Sequence, residues 1–220
     1  MKIAVISANI GGIDTPKQMP KQNIEFDYFY FNESNLPLPM TGLDNRLKAK
    51  LFKMQAHKLF PDHDILIWVD SNFQFKTIDF IQTMGQALTF DFDIAISKHP
   101  SRNCIYEETQ FIVDEIAKGN KYLSTRYNSE ALINEAQHFR ANSHRENAGL
   151  YWCGLFARRN NKKVNAFFDQ WYMDNILWGN FDQTNFVFEA EKHDMKLSII
   201  NWGDFYNNKN YQLTNHLKIA

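Results

Sequence analysis

Cysteine is scarce in this 220-residue chain: Cys104 and Cys153 stand alone, without a CxxC pair or a histidine spaced for zinc. That argues against a disulfide framework or a structural metal knuckle and predicts two reduced, partly buried thiols. Long hydrophobic runs are missing too. Nowhere do about 18 apolar residues follow one another, and Ile3 to Ile6 ahead of Ser7 is too short for a signal-peptide core, so a soluble cytoplasmic chain without a membrane segment is expected. Charge of one sign is lacking: 24 Lys and Arg against 25 Asp and Glu leave −1, and no field to hold a nucleic-acid backbone. Gly11-Gly12 lacks the third spaced glycine of GxGxxG, which disfavours a dinucleotide-binding oxidoreductase. No repeat or low-complexity linker divides the chain, so residues 1–220 are expected to form a single α/β domain.

What is abundant is aromatic: 19 Phe, 9 Tyr and 5 Trp, enough to fill a core and leave some surface for a ligand. Strands are predicted at Ile3–Ser7, Phe26–Phe31, Ile65–Val69, Ile94–Ser97, Leu150–Ala157 and Leu197–Ile200. Between them lie helical patterns: one capped by Asp44 and running to Leu59 before Pro61, one from Thr77 or Asp79 to Leu88, and Glu107–Ala117 closed by Gly119. Two more follow at Val164–Trp178 and Gln183–Glu191. Gly119 to Asn147 is polar and irregular, with a short helix at Ser129–Phe139, and suits acceptor contacts or a mobile lid. The alternation predicts a mixed, mostly parallel sheet flanked by helices, with ligands at the carboxyl ends of its strands.

Asp70-Ser71-Asn72 follows a buried strand, so an acid and an amide oxygen two residues apart point the same way. Such oxygens suit Mn²⁺ or Mg²⁺ and leave positions for phosphate, although the same residues also make an ordinary turn. Arg46 and Lys50 are four apart on one helical face, placed either for a diphosphate or as a solvated face.

Trp68-Val69-Asp70-Ser71-Asn72, together with His99-Pro100-Ser101-Arg102-Asn103-Cys104-Ile105-Tyr106-Glu107-Glu108, resembles the signature of a family of glycosyltransferase-like domains found in plants, bacteria and large viruses. Gly11-Gly12, Arg46 with Lys50, and Asp182-Gln183 fit the same family over nearly the whole chain. The resemblance implies a single GT-A domain that uses a nucleotide-sugar donor, UDP-sugar favoured, and Mn²⁺ or Mg²⁺. A second similarity, to retaining GT-A galactosyltransferases and glycogenin-like enzymes, lies in the order Asp70-Ser71-Asn72, Asn147-Ala148-Gly149, Asp182-Gln183, His216. Asn72 departs from that pattern, which has a second Asp there, and lowers the charge of the site. A further likeness, to viral transferases that build capsid glycans, implies the host cytoplasm. An end at Ala220, soon after His216, fits a domain cut from a longer polypeptide.

Carried over residue by residue, the resemblance implies Asp70, Asn72 and His216 as cation ligands, and Asn147, Asp182 and Gln183 as the catalytic group. In it Asp182 bonds the donor sugar and Gln183 lies beneath the anomeric carbon. Ser7, Asn9, Gly11, Gly12 and Asn32 would meet base and ribose. Arg46, Lys50 and Lys218 would meet the diphosphate, with Gly149 beside the donor. His99 and Arg102 would neutralise phosphate or orient the acceptor, Glu107 and Glu108 pairing with Arg102. Trp152, Trp171, Trp178 and Trp202 serve as a sugar platform or as core. The expected reaction moves a sugar to a hydroxyl of a glycan or glycoprotein with retention; inversion would need Asp182 as base. The alternatives are a non-catalytic sugar or nucleotide binder, made credible by Asn72, and a metal-dependent phosphohydrolase, which normally needs more convergent carboxylates.

Overall fold

The computed structural model describes residues 1–16, 18–89, 91–179, 181–214 and 216. Its centre is a six-stranded sheet in the order β2-β1-β3-β6-β5-β7. Strands β1 (Ile3–Ala8) and β3 (Ile65–Val69) are buried at every position, as a sheet covered on both faces requires. They pair in parallel, Ile3 with Ile65 and Ile6 with Trp68, and β2 (Asp27–Phe31) adds a parallel edge. Strand β6 (Tyr151–Arg159) runs antiparallel to β3 and to β5 (Ile94–Lys98), while β7 (Leu197–Ile199) pairs parallel to β5. The expected mixed, mostly parallel α/β sheet flanked by helices is the architecture observed.

Alternation along β1 serves two cores. Ala4, Ile6 and Ala8 pack on one face with Phe52, Phe167, Phe168, Trp171 and Phe186, from α1 (Asn45–Met54), α7 (Lys162–Trp178) and α8 (Asp182–Lys192). Ile3 and Val5 pack on the other with Phe80, Ile81 and Met84 of α3 (Phe80–Gln86). Most of the aromatic excess lies in these two layers. Cys104 and Cys153 are buried and free. No described helix is long and apolar enough to cross a membrane.

Three local expectations are revised. The helix capped by Asp44, whose carboxylate accepts Leu47 N–H at 2.8 Å, stops at Met54 and resumes as α2 (Ala56–Leu59). Gln55 breaks it at φ −98°, ψ 16°, where its side-chain amide donates to Phe168 O at 3.2 Å. Helix α4 (Ile105–Ala117) starts two residues before Glu107. Strand β8 (Tyr211–Leu213) returns antiparallel to β4 (Phe73–Phe75), with Phe75 facing Tyr211. The polar stretch after Gly119 folds as α5 (Lys121–Ser124) and α6 (Ser129–Ala141), capped by the side chains of Asn120 and Asn128.

Candidate functional site

A cleft of about 250 Å³ opens where β1 and β3 end and β6 begins, lined also by α1, α8 and the α5 segment. Helix α1 sends Arg46, Lys50 and Lys53 into it, a spacing that keeps all three on one face. Lys50 and Lys53 are only 7% and 6% exposed, and ammonium groups so far from water need partners. Asp182, the first residue of α8, supplies them: Oδ2 lies 2.5 Å from Lys53 Nζ and Oδ1 3.7 Å from Lys50 Nζ. Burial alone would raise the Asp182 pKa, but Lys50 and Lys53 override it and hold the carboxyl well below the usual range. Burial pulls Lys53 down, and Asp182 with Asp70 more than reverses this and lifts it above the ordinary lysine value. For Lys50 burial wins over Asp182, and its pKa falls to about 7.

Asp70 faces this group across the cleft. Trp68 Nε1 donates to its Oδ1 at 2.7 Å, Lys53 Nζ stands 4.0 Å from the same oxygen, and its own N–H donates to Gly154 O at 2.8 Å. The Asp70 side chain keeps 40% of its surface open, so a ligand can reach it. Gly154 makes that possible, because a Cβ there would fall 2.9 Å from Asp70 Oδ2 and 2.6 Å from Trp152 Cζ2. At the rim Asp14, buried, accepts from Ser71 Oγ and bonds His216 Nδ1 at 2.6 Å. Burial would raise the Asp14 pKa; the bonds to His216 and Ser71 hold it below the usual value. His216 stacks on Tyr122, which lies 4.5 Å beneath the Arg126 guanidinium, and Arg46 covers the Tyr127 ring at the same distance.

Mn²⁺ and Mg²⁺ are commonly held by one or two carboxylates together with substrate phosphates. Asp70, accessible and with Oδ2 beside the bare Gly154, fits that role, and Asp14 with His216 stands next to it across Ser71. Among the described residues no three His, Cys, Asp or Glu side chains gather round one point. The protein thus offers part of a hard-cation shell and, through Lys50, Lys53 and Arg46, cations of its own.

The family model of the TOD1/MUCI70 glycosyltransferase-like domain matches residues 38–198, from the approach to α1 through β7. The chain belongs to that family. No match was found among curated proteins. Structurally similar chains include a glycosyltransferase involved in the glycosylation of the major capsid of PBCV-1, with 9% identity over 96% of this chain and 92% of that one and a TM-score of 0.49. Mouse xyloside xylosyltransferase 1, apo form, is 11% identical over 80% of this chain and 63% of that one, with a TM-score of 0.43. Core-mannan synthase A from Aspergillus fumigatus, Mn/GDP form, is 8% identical over 86% and 69%, with a TM-score of 0.38.

In this TOD1/MUCI70-type domain the structure brings together Asp70, Arg46, Lys50, Asp182, Gln183 and His216. Apart from Trp152, the other expected residues that the structure describes do not line the cleft. Asn72 Nδ2 donates to Thr214 O at 3.2 Å, which ties the side chain to the end of the two-stranded β4–β8 sheet. Asn9 braces its own loop through both Asp14 backbone groups, at 2.7 and 3.1 Å, and Asn32 Oδ1 accepts from Ser34 N and Oγ. Ser7 is buried in β1, and Gly11 and Gly12 shape the following loop at φ +91° and +61°. The His99–Glu108 block is a braced turn that runs into α4: His99 Nδ1 accepts from Ser101 and Arg102 N–H, and Arg102 Nε pairs with buried Glu108, not with exposed Glu107. Asn147 and Gly149 sit at φ +54° and +114° in the turn before β6. Lys218 lies outside the described residues. Trp152 lines the cleft, whereas Trp171 is wholly buried and Trp202 stacks on Phe80. Sequence reasoning missed Lys53, though its place three residues after Lys50 was a usable signal, and it missed Asp14, for which no local pattern speaks.

Proposed function

We propose that this domain transfers a sugar from a nucleotide-diphosphate donor, UDP-sugar favoured, to a hydroxyl of a glycan or glycoprotein. The observation that supports the reading is the buried pairing of Lys50 and Lys53 with Asp182 directly opposite the accessible Asp70. Lys50, Lys53 and Arg46 neutralise the diphosphate and steady the charge that grows on it as the sugar departs. Asp182, kept ionised by the two lysines, accepts from hydroxyls of the donor sugar, and Gln183 beside it lines the path to the anomeric carbon. Asp70, with Asp14 and His216 next to it, would hold Mn²⁺ or Mg²⁺, which supplies Lewis-acid stabilisation of the leaving phosphate. Retention is the stereochemistry we assign, the acceptor proton passing to that phosphate. A second reading, donor binding without turnover, is favoured by the engagement of Asn72 with Thr214, which leaves Asp70 without the second oxygen ligand of its motif among the described residues lining the cleft.

A thermal-shift screen of nucleotide sugars with and without Mn²⁺ tests both readings. A donor should raise the melting temperature in a metal-dependent way, Asp70→Ala should abolish the metal-dependent part, and sugar transfer to a hydroxyl acceptor separates turnover from binding. If no nucleotide sugar shifts the melting temperature, the proposal is lost.

A further inference from the structure

Behind Lys50 runs a chain of hydrogen bonds closed off from solvent. Lys50 Nζ donates to Asn175 Oδ1 at 2.6 Å. Asn175 Nδ2 donates to Asn185 Oδ1 at 3.3 Å and to Trp171 O at 2.8 Å. Asn185 Nδ2 donates to Glu135 Oε1 at 3.2 Å, and Thr184 Oγ1 lies 2.7 Å from Glu135 Oε2. Glu135 and Asn175 are 1% exposed, Thr184 and Asn185 0%. A primary amide has one donor end and one acceptor end, so the polarity of the first link dictates the rest. Because Asn185 gives its nitrogen to the carboxyl, its oxygen is left for Asn175 and for Trp171 Nε1, 3.0 Å away. Asn175 must then spend its nitrogen on Asn185 and Trp171 and turn its oxygen to Lys50.

We propose that Glu135 is a positioning residue for the donor site: through Asn185 and Asn175 it orients the oxygen that holds the Lys50 ammonium at the cleft floor. This rests on the reading of the cleft as a nucleotide-diphosphate site. None of the three residues touches the cleft, and α6, which carries Glu135, is joined to α1 by this chain across α8 and α7. Burial lifts the Glu135 pKa to about 8, so near neutral pH its carboxyl is largely uncharged, and a glutamine amide offers the same acceptor to Asn185 and a donor to Thr184 Oγ1. A methionine offers neither, and both amides lose the polarity that selects their orientation.

The test is calorimetric titration of the full chain with UDP and, separately, with uridine, with GDP and guanosine as the second pair, in each case with Mn²⁺. Glu135→Met should weaken diphosphate binding about tenfold while leaving nucleoside binding within a factor of about two, because the misplaced ammonium meets only phosphate. Glu135→Gln should restore the diphosphate affinity. If Glu135→Met does not fold, Asn175→Leu cuts the chain one link closer to Lys50 and must show the same loss confined to the diphosphate. An equal loss for nucleoside and diphosphate, or no loss in a folded variant, overturns the proposal. If the unaltered protein binds neither UDP nor GDP, the reading of the cleft itself fails.

Discussion

The floor and the rim of the cleft hold charge in different ways. At the floor Lys50, Lys53 and Asp182 come from α1 and α8, two helices packed against the sheet, and their side chains are 9%, 6% and 16% exposed. At the rim Asp14 and His216 come from a loop and from the segment after β8, and His216 is 30% exposed although Asp14 is covered. A charge buried on a helix has no alternative partner once its own is removed, whereas one on an accessible loop can turn to water. The floor is therefore a fixed frame and the rim, through His216, an adjustable one, which would suit the proposed diphosphate held in one pose and an acceptor that enters and leaves.

The largest break of this contrast is Lys53→Met, which leaves Asp182 without its closest cation and Asp70 without its neighbour. We expect destabilisation of about 3–5 kcal/mol in urea unfolding. Gly154→Ala tests the space beside Asp70: its Cβ meets Trp152 and Asp70, and we expect a loss of about 1–3 kcal/mol together with weaker Mn²⁺-dependent nucleotide binding. Behind the floor, the folded state keeps the Glu135 proton up to about pH 8 while the unfolded chain releases it near the ordinary 4.5. The favourable contribution of this raised pKa is thus complete below 4.5 and lost as the pH rises towards 8. Unfolding of Glu135→Gln at several pH values should show a variant that gains on the parent protein across that interval. His216→Ala should cost less than Lys53→Met, about 1–2 kcal/mol, because its imidazole is partly solvated and the covered Asp14 keeps the bond from Ser71 Oγ; a loss as large as that of Lys53→Met would show that rim and floor are built alike.

Much of the frame is legible in the residues themselves. Short, β-branched apolar runs such as Ile65–Val69, bounded by Asp64 and Asp70, read as strands covered on both faces, and Asp44, Asn128 and Asn161 each cap the helix that follows. Half of the site was legible as well, since Asp70 stands at a strand end and Asp182-Gln183 at a helix start. Misplaced residues share a cause. Asn9, Asn32, Asn72 and His99 are short polar side chains in loops, and such groups bond to neighbouring backbone as readily as to a ligand. Their residue type does not say which.

By itself the sequence determined the alternation of strands and helices, the burial of the aromatic residues and the family of glycosyltransferase-like domains to which the chain belongs, because periodicity, caps and short motifs are local. The tertiary structure alone decided that Asp182 lies between Lys50 and Lys53, that Asp14 takes His216 across the chain, and that Asn72 bonds Thr214 beside the strand pair completed by Tyr211–Leu213. These pairings join residues more than a hundred positions apart, with the exception of none. What selects them is the cost of leaving a buried charge or amide unpaired, and that cost exists only once the sheet and its helices have closed around it.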